Sequence, residues 1–174
     1  MNSRRNPKIV GMIRLKNEAL ILQDTLDHLS QFVDCILIFD DASNDESAAI
    51  ARNHPSVAEI VVNKRWKKNH RIWEETANRK LLYKRARRYK PQWFFYADAD
   101  ERFEGDIRKY LLDECPANVN AVKISLFDAY ITKNDKNAYR KGERLYNFRK
   151  YFGTEQRDIL MIWRNIKKID FLVP

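Results

Sequence analysis

Apolar residues arrive along this chain in short runs separated by amphipathic stretches. Residues 8–13 (KIVGMI) are too few for a helix and read as a buried strand. Asn17 then offers a helix N-cap ahead of Leu22, Leu26, Leu29 and Val33, which share one helical face. A second run, residues 35–39 (CILIF), stops abruptly at Asp40-Asp41-Ala42-Ser43. Ser43 and Glu46 have capping-box spacing, which predicts a helix over residues 44–53, ended by Pro55.

Residues 59–62 read as a third strand. The stretch 72–89 carries Trp73, Ala77 and Leu81, and again Leu82, Ala86 and Tyr89, in helical register, so it predicts the longest helix. Residues 93–97 (WFFYA) are so aromatic that they predict a central strand covered on both faces, and they too end in acids, Asp98-Ala99-Asp100-Glu101. A short helix over 106–112 follows. Residues 122–126 alternate with period two as a half-buried strand does, and 159–163 read as another strand. The polar, weakly periodic stretch 129–156 reads as loop-rich.

Strand and helix therefore alternate over the first hundred or so residues, a pattern that predicts an α/β fold of three layers, α/β/α, around a mostly parallel central sheet with right-handed crossovers. Ligands of such sheets bind outside the carboxyl ends of the strands. The chain has 174 residues, a single-domain length, and its 44% hydrophobic and 33% charged composition is that of a folded globular protein.

No apolar run approaches the roughly 20 residues that cross a bilayer, and residues 1–7, read as a tail, lack the apolar segment of a secretory signal. The expected location is cytoplasmic, with peripheral contact at the inner face of a membrane left open. Cys35 and Cys115 stand singly without metal-ligand spacing and read as incidental thiols. The net charge of +9 favours anionic partners, namely nucleotides, nucleic acids or acidic membrane surfaces. Four glycines, at 11, 105, 142 and 153, form neither a dinucleotide fingerprint nor a P-loop, which disfavours a nicotinamide dehydrogenase and a P-loop NTPase.

Four groups of residues carry candidate chemistry. Residues two apart on a strand project to one face, so Asp98 and Asp100 are placed to hold one divalent cation while Ala99 points away. Mn2+ or Mg2+ takes one or two carboxylates and completes its shell with substrate phosphates. The bland alternative is a pair of solvated loop acids. Asp40-Asp41 closes the second strand at the same crevice, where a carboxylate accepts a nucleobase N–H or a ribose hydroxyl, or else forms an Asx turn, the more fitting reading for Asp40. Arg14-Leu15-Lys16-Asn17-Glu18 enters the crevice from the first strand. The basic run from 64 to 90 includes Lys64, Arg65, Lys67, Lys68, Arg71, Arg79, Lys80, Lys84, Arg85, Arg87 and Arg88. Most of it reads as a solvated helix face, with Arg79 the first candidate to reach a diphosphate and the outer stripe a candidate for anionic lipid.

Taken together, residues 9–47 and 77–101 resemble the family-2 glycosyltransferases of the GT-A, nucleotide-diphospho-sugar transferase type. The first stretch is similar to their opening strand, Asn-Glu helix start, second strand and Asp-Asp-x-Ser turn; the second is similar to their Arg-bearing helix followed by an Asp-x-Asp strand. The resemblance implies a Rossmann-like GT-A fold and transfer of a sugar from a nucleotide diphosphate sugar, with a UDP-sugar the expected donor, to a hydroxyl of a glycan or lipid-linked acceptor, with inversion. It implies that Asp41 reads the base, Arg14 and the Asn17-Glu18 pair border it, Arg79 lies on the phosphate side, Asp98 faces ribose or a metal-bound water, and Asp100 ligates the metal. Arg14-Leu15 departs from the small pair usual there. The general base lies downstream, with Asp128, Glu155 and Asp158 as unranked candidates. Residues 8–128 form the donor-binding domain and 129–174 begin an acceptor side that is shorter than in typical members. Two rival readings stand beside this one. A nucleotidyltransferase of related fold would normally carry a Gly-rich loop after the first strand, and a nucleic-acid module would use the basic run with steep salt dependence. No nucleic acid is expected as a partner.

Overall fold

The computed structural model describes residues 6–66, 71–130, 133, 140, 151–167 and 169. It contains strands β1 (Ile9–Leu15), β2 (Cys35–Asp40), β3 (Val57–Val62), β4 (Trp93–Asp98), β5 (Ala121–Tyr130) and β6 (Tyr151–Arg164). The helices are α1 (Leu22–Leu29), α2 (Ser47–Asn53), α3 (Arg71–Ala86), which tightens into a 3-10 turn at Arg87–Tyr89, and α4 (Ile107–Lys109), which widens into a π-helical turn at Tyr110–Glu114.

The six strands form one sheet in the order β3-β2-β1-β4-β6-β5. Strands β3, β2, β1 and β4 are mutually parallel, while β6 runs antiparallel to both β4 and β5. This is the expected mixed α/β architecture with a mostly parallel sheet. Period-two alternation sorts the core into two layers. Ile9, Ile13, Ile36, Ile38, Trp93, Phe95 and Ala97 meet Leu22, Leu26 and Leu29 of α1 and Ala51 of α2. Val10, Met12, Leu37, Phe39, Phe94 and Tyr96 meet Leu82, Tyr83 and Ala86 of α3. Trp93, Phe94 and Phe95 are fully buried, so consecutive aromatics fill both layers and make β4 the centre predicted from its composition. Gly11 permits close packing of α1 on β1, since a Cβ there would lie 3.3 Å from Leu29 Cδ2 of α1 and 3.1 Å from Val33 Cγ2 just beyond it.

Three local expectations are corrected. Asn17 does not cap α1, which begins at Leu22; its backbone is left-handed (φ 58°) and its Oδ1 accepts from Asn44 N at 2.9 Å, tying two loops together. The Ser43–Glu46 capping box does not form, and α2 begins later, at Ser47. Ser43 Oγ instead accepts from Asn17 N at 2.9 Å, while Asp45 Oδ1 accepts from Ser47 N at 2.9 Å. Long-range loop contacts outcompete the local caps here. Residues 129–130 and 151–156 are strand, not loop: Ala129 pairs with Phe152 and Tyr130 with Tyr151. The remainder of 129–156 lies mostly outside the described residues. Among the described residues no helix is long and apolar enough to cross a membrane.

Candidate active site

Because β1, β2 and β4 are parallel and adjacent, their carboxyl ends open on one edge. Leu15 pairs with Asp40, and Arg14 pairs with both Phe39 and Asp98. Partners in parallel register share a sheet face, so Arg14, Asp98 and, two residues beyond Phe39, Asp41 emerge on the α3 side. Arg14 Nη1 lies 3.5 Å from Asp41 Oδ2, and its Nη2 donates to Glu75 Oε1 of α3 at 2.9 Å. Asn63, just past β3, donates through Nδ2 to Asp41 Oδ1 at 3.0 Å and to the Arg65 carbonyl at 2.9 Å. Asp41 is thus a buried carboxylate held by two strands and facing cations. Lys16 Nζ donates to the Ala42 carbonyl at 2.9 Å and lies 5.0 Å from the centre of the Trp66 ring.

On the other flank, the chain leaving β4 turns back on itself. Glu101 N donates to the Asp98 carbonyl at 3.2 Å, and Asp98 N donates to Glu101 Oε2 at 2.8 Å. Ala99 is buried in the α1 layer, as the alternation predicts, whereas Asp98 stays on the α3 side and Asp100 is exposed. The charges crowd. Burial pushes the Glu101 carboxyl up to about 7, with the negative charges of Asp98 and Asp100 adding to it and the Asp98 N–H and Arg79 opposing. Burial likewise raises Asp98, against Arg79 and with Asp100. Glu18 is raised by burial and then by Asp100, Asp45 and Asp98. Glu18, Asp98, Asp100 and Glu101 therefore feel one another across the crevice. Arg79 of α3 lies 4.6 Å from the centre of the Tyr96 ring, and burial pushes the Tyr96 phenol up to about 12. Among the described residues, neither Arg79 Nε nor the Tyr96 hydroxyl has a hydrogen-bond partner.

This cluster has the donor chemistry of a Mg2+ or Mn2+ site: hard oxygen ligands carrying more negative charge than the nearby arginines offset. Among the described residues no group of three or more His, Cys, Asp or Glu side chains is placed to hold a metal ion. Sites for these ions also form from one or two carboxylates, with phosphate and water supplying the rest.

Other expected residues are placed as follows. Asp40 Oδ1 accepts from Ser43 N, three residues on, at 2.9 Å, so the carboxylate braces the exit loop as expected but over one residue more than an Asx turn spans. Asp158 accepts from Ser125 Oγ at 2.7 Å, which with the Gln156 amide holds its carboxyl below the usual range. Asp128 pairs with Arg157 at 2.5 Å. A β-bulge between Val122 and Lys123 puts Met161 and Ile162 both in the core and reverses the alternation of β6 before them. Asp158, opposite Ser125, thereby faces the α3 side like Asp98, and Asp128 faces the α1 side with Arg157. Glu155 is exposed on β6. In the basic run, Arg85 pairs with Glu59 at 2.9 Å. Lys67 and Lys68 lie outside the described residues. Asn63, Glu75, Glu101 and Trp66 were not singled out from sequence. Asn63 and Glu101 had a usable signal, being polar residues just past apolar strands, whereas Glu75 had none because its role depends on how α3 lies across β1.

No protein-family model matches the chain. Two uncharacterised proteins, from Mycobacterium bovis and Mycobacterium tuberculosis, are each 39% identical to it over 102 residues, which is 58% of this chain. The chain spans about a quarter (25%) of the length of these relatives. Among solved structures, it is similar to a mannosyltransferase of Pyrobaculum calidifontis in complex with GDP-Man and Mn2+ (21% identity, TM-score 0.45, 68% of this chain and 35% of that one). It is also similar to a 4-diphosphocytidyl-2C-methyl-D-erythritol synthase of Anaerococcus prevotii (14% identity, TM-score 0.47, 90% and 69%). A second synthase of that name gives 11% identity and a TM-score of 0.49 over 90% of this chain and 75% of that one. At these scores the overlaps carry no argument about activity.

Proposed function

We propose that the crevice binds a nucleoside diphosphate sugar with a divalent cation, and that the chain is the donor-binding part of a glycosyltransferase. The observation that carries this reading is the joint placement of Asp41 and the 98–101 acid turn at one edge, with Arg14 between them and Arg79 beside Asp98. Asp41 accepts an N–H of the base, uracil being the base we assign, while Arg14 fixes the carboxylate and Asn17 and Glu18 border it. Asp100, with Asp98, holds Mn2+ or Mg2+, and Arg79 approaches the diphosphate. The cation, when bound, neutralises the diphosphate and makes it a better leaving group.

In the transfer itself, an acceptor hydroxyl oxygen bonds to the anomeric carbon as the bond from that carbon to the phosphate oxygen breaks, which inverts the centre, and a carboxylate takes the hydroxyl proton. Asp158 leads the candidates for that base because it shares the sheet face of Asp98 and Arg14. Asp128 and Glu155 follow. The acceptor is a glycan or lipid-linked hydroxyl met by the region from residue 129 onward, and the exposed Lys64, Arg65, Lys80, Lys84, Arg87 and Arg88 approach an anionic membrane surface.

The test incubates the protein with a panel of nucleotide sugars and Mn2+, reading thermal stabilisation and the released product. A ligand of the folded state raises its stability by mass action. Stabilisation by a UDP-sugar, with nucleoside diphosphate as the product, supports the proposal. Release of pyrophosphate from a nucleoside triphosphate would favour nucleotidyl transfer instead.

A further inference from the structure

The hydrogen bonds between Asp98 and Glu101 are not all that holds the acid turn in place. Its main chain is gripped by one edge of α1, through side chains at positions 24, 25 and 28 that the donor-site reading leaves unused. Thr25, buried, holds its hydroxyl within hydrogen-bond reach of two carbonyls, that of Ile21 in the preceding turn at 3.1 Å and, closer, that of Ala99, the middle residue of Asp98-Ala99-Asp100, to which it donates. Asp24 Oδ2 accepts from Arg102 Nε and Nη2 at 3.0 and 2.6 Å, and Arg102 Nη1 in turn donates to the Glu101 carbonyl at 2.8 Å. His28 Nε2 accepts from Phe103 N at 2.8 Å. Both partners of the Asp24–Arg102 pair are nearly buried.

These contacts are not needed to seat α1, whose Leu22, Leu26 and Leu29 already pack it against the sheet. They fall on the backbone from which the metal-site carboxylates spring. The Ala99 carbonyl belongs to the peptide plane that leads into Asp100, so a hydrogen bond to it fixes the direction in which Asp100 leaves the chain. Asp98 and Asp100 repel both Glu18 and Glu101, and that repulsion favours opening of an unrestrained turn. A site held in its binding geometry against such repulsion binds more tightly because less ordering remains to be done on binding.

We propose that Asp24, Thr25 and His28 are positioning residues that preorganise the Asp98–Asp100 turn for its cation; this rests on the reading of that turn as a metal site. They touch neither metal nor nucleotide. Their loss weakens cation binding while leaving the base pocket at Asp41 intact, on the far side of β1.

The test compares Thr25→Val, which keeps the shape and removes the hydroxyl, with Thr25→Ser, which restores it. Mn2+ affinity in the presence of UDP is read from the electron paramagnetic resonance of free Mn2+, and UDP affinity is measured separately without metal. The expected result is about fivefold weaker Mn2+ binding by Thr25→Val, the scale of one ordinary hydrogen bond lost, since the Ala99 carbonyl keeps only its longer contact from Arg102 Nη1 at 3.4 Å, with unchanged metal-free UDP affinity. Thr25→Ser is expected to stay within about twofold of the native protein. His28→Leu against His28→Gln, which keeps an acceptor near the Nε2 position, gives the same contrast should Thr25→Val fail to fold. Native-like Mn2+ affinity in Thr25→Val, or an equal loss of metal-free UDP binding, overturns the inference and leaves the metal site standing. Absence of Mn2+ binding by the native protein with UDP overturns both.

Discussion

Replacing Asp41 by Asn isolates the charge at the proposed base pocket while keeping its shape. The native carboxylate is buried, accepts from Asn63 at 3.0 Å and faces Arg14 at 3.5 Å. An Asn at this position has one acceptor oxygen, uncharged, whose two lone pairs Asn63 and the base must share. Hydrogen bonds to a charged group contribute about 1.5–3 kcal/mol and neutral ones about 1 kcal/mol. The difference, about 1.5 kcal/mol, corresponds to about a tenfold weaker UDP complex. Arg14 keeps its 2.9 Å bond to Glu75, so the loss of folding stability stays near about 1 kcal/mol. Calorimetric titration in Mn2+ with UDP and, in parallel, with pyrophosphate reads the effect. The expected outcome is a tenfold loss for UDP and none for pyrophosphate, which has no base. Equal UDP affinity in D41N, or a matching loss for pyrophosphate, would refute the role given to Asp41.

Arg79→Ala is expected to weaken UDP by roughly tenfold, the loss of one charge-assisted contact, while leaving uridine binding unchanged; titrations with both ligands separate the two. The raised carboxyls of Glu101, Glu18 and Asp98 set the sign of the pH dependence. A carboxyl with a folded pKa above its unfolded value favours the fold when protonated, so metal-free stability falls as pH rises from the ordinary carboxylate range through about 7, the folded value of Glu101. Melting temperatures between pH 5 and 8 should show that fall, and Glu101→Gln should flatten it. A variant that keeps the native slope would remove Glu101 as its source. Titrating a fluorescent oligonucleotide at two salt concentrations should show no tight, steeply salt-dependent binding, despite the net charge of +9.

The sheet and its acid-lined edge were legible because both rest on strong, local signals. The runs CILIF and WFFYA are too short and too apolar for anything but buried strands, and each ends in acids at the edge where parallel sheets bind ligands. What escaped depends on contacts distant in sequence. Asn17 and Ser43 carry valid capping signals, yet each is used to tie the β1 and β2 exit loops together, 26 and 27 residues apart. The far half of the β5–β6 hairpin exposes Phe127, Tyr130, Tyr151 and Phe152, so it lacks the one-sided burial that makes a strand visible as alternation. The face assigned to Asp158 hangs on a one-residue bulge, which no periodicity announces. The grip of α1 on the acid turn was hidden because Asp24, Thr25 and His28 look like the ordinary polar side of an amphipathic helix.

The central claim is that the acids closing β4 hold a cation that grips a diphosphate in the crevice bordered by Asp41. Measuring UDP affinity with and without Mn2+, in the native protein and in Asp100→Ala, tests it most directly. The account predicts at least about tenfold tighter UDP binding with Mn2+ in the native protein, the worth of one strong charge-assisted contact, and loss of that gain in the variant. UDP affinity that ignores both Mn2+ and the Asp100 substitution would contradict it.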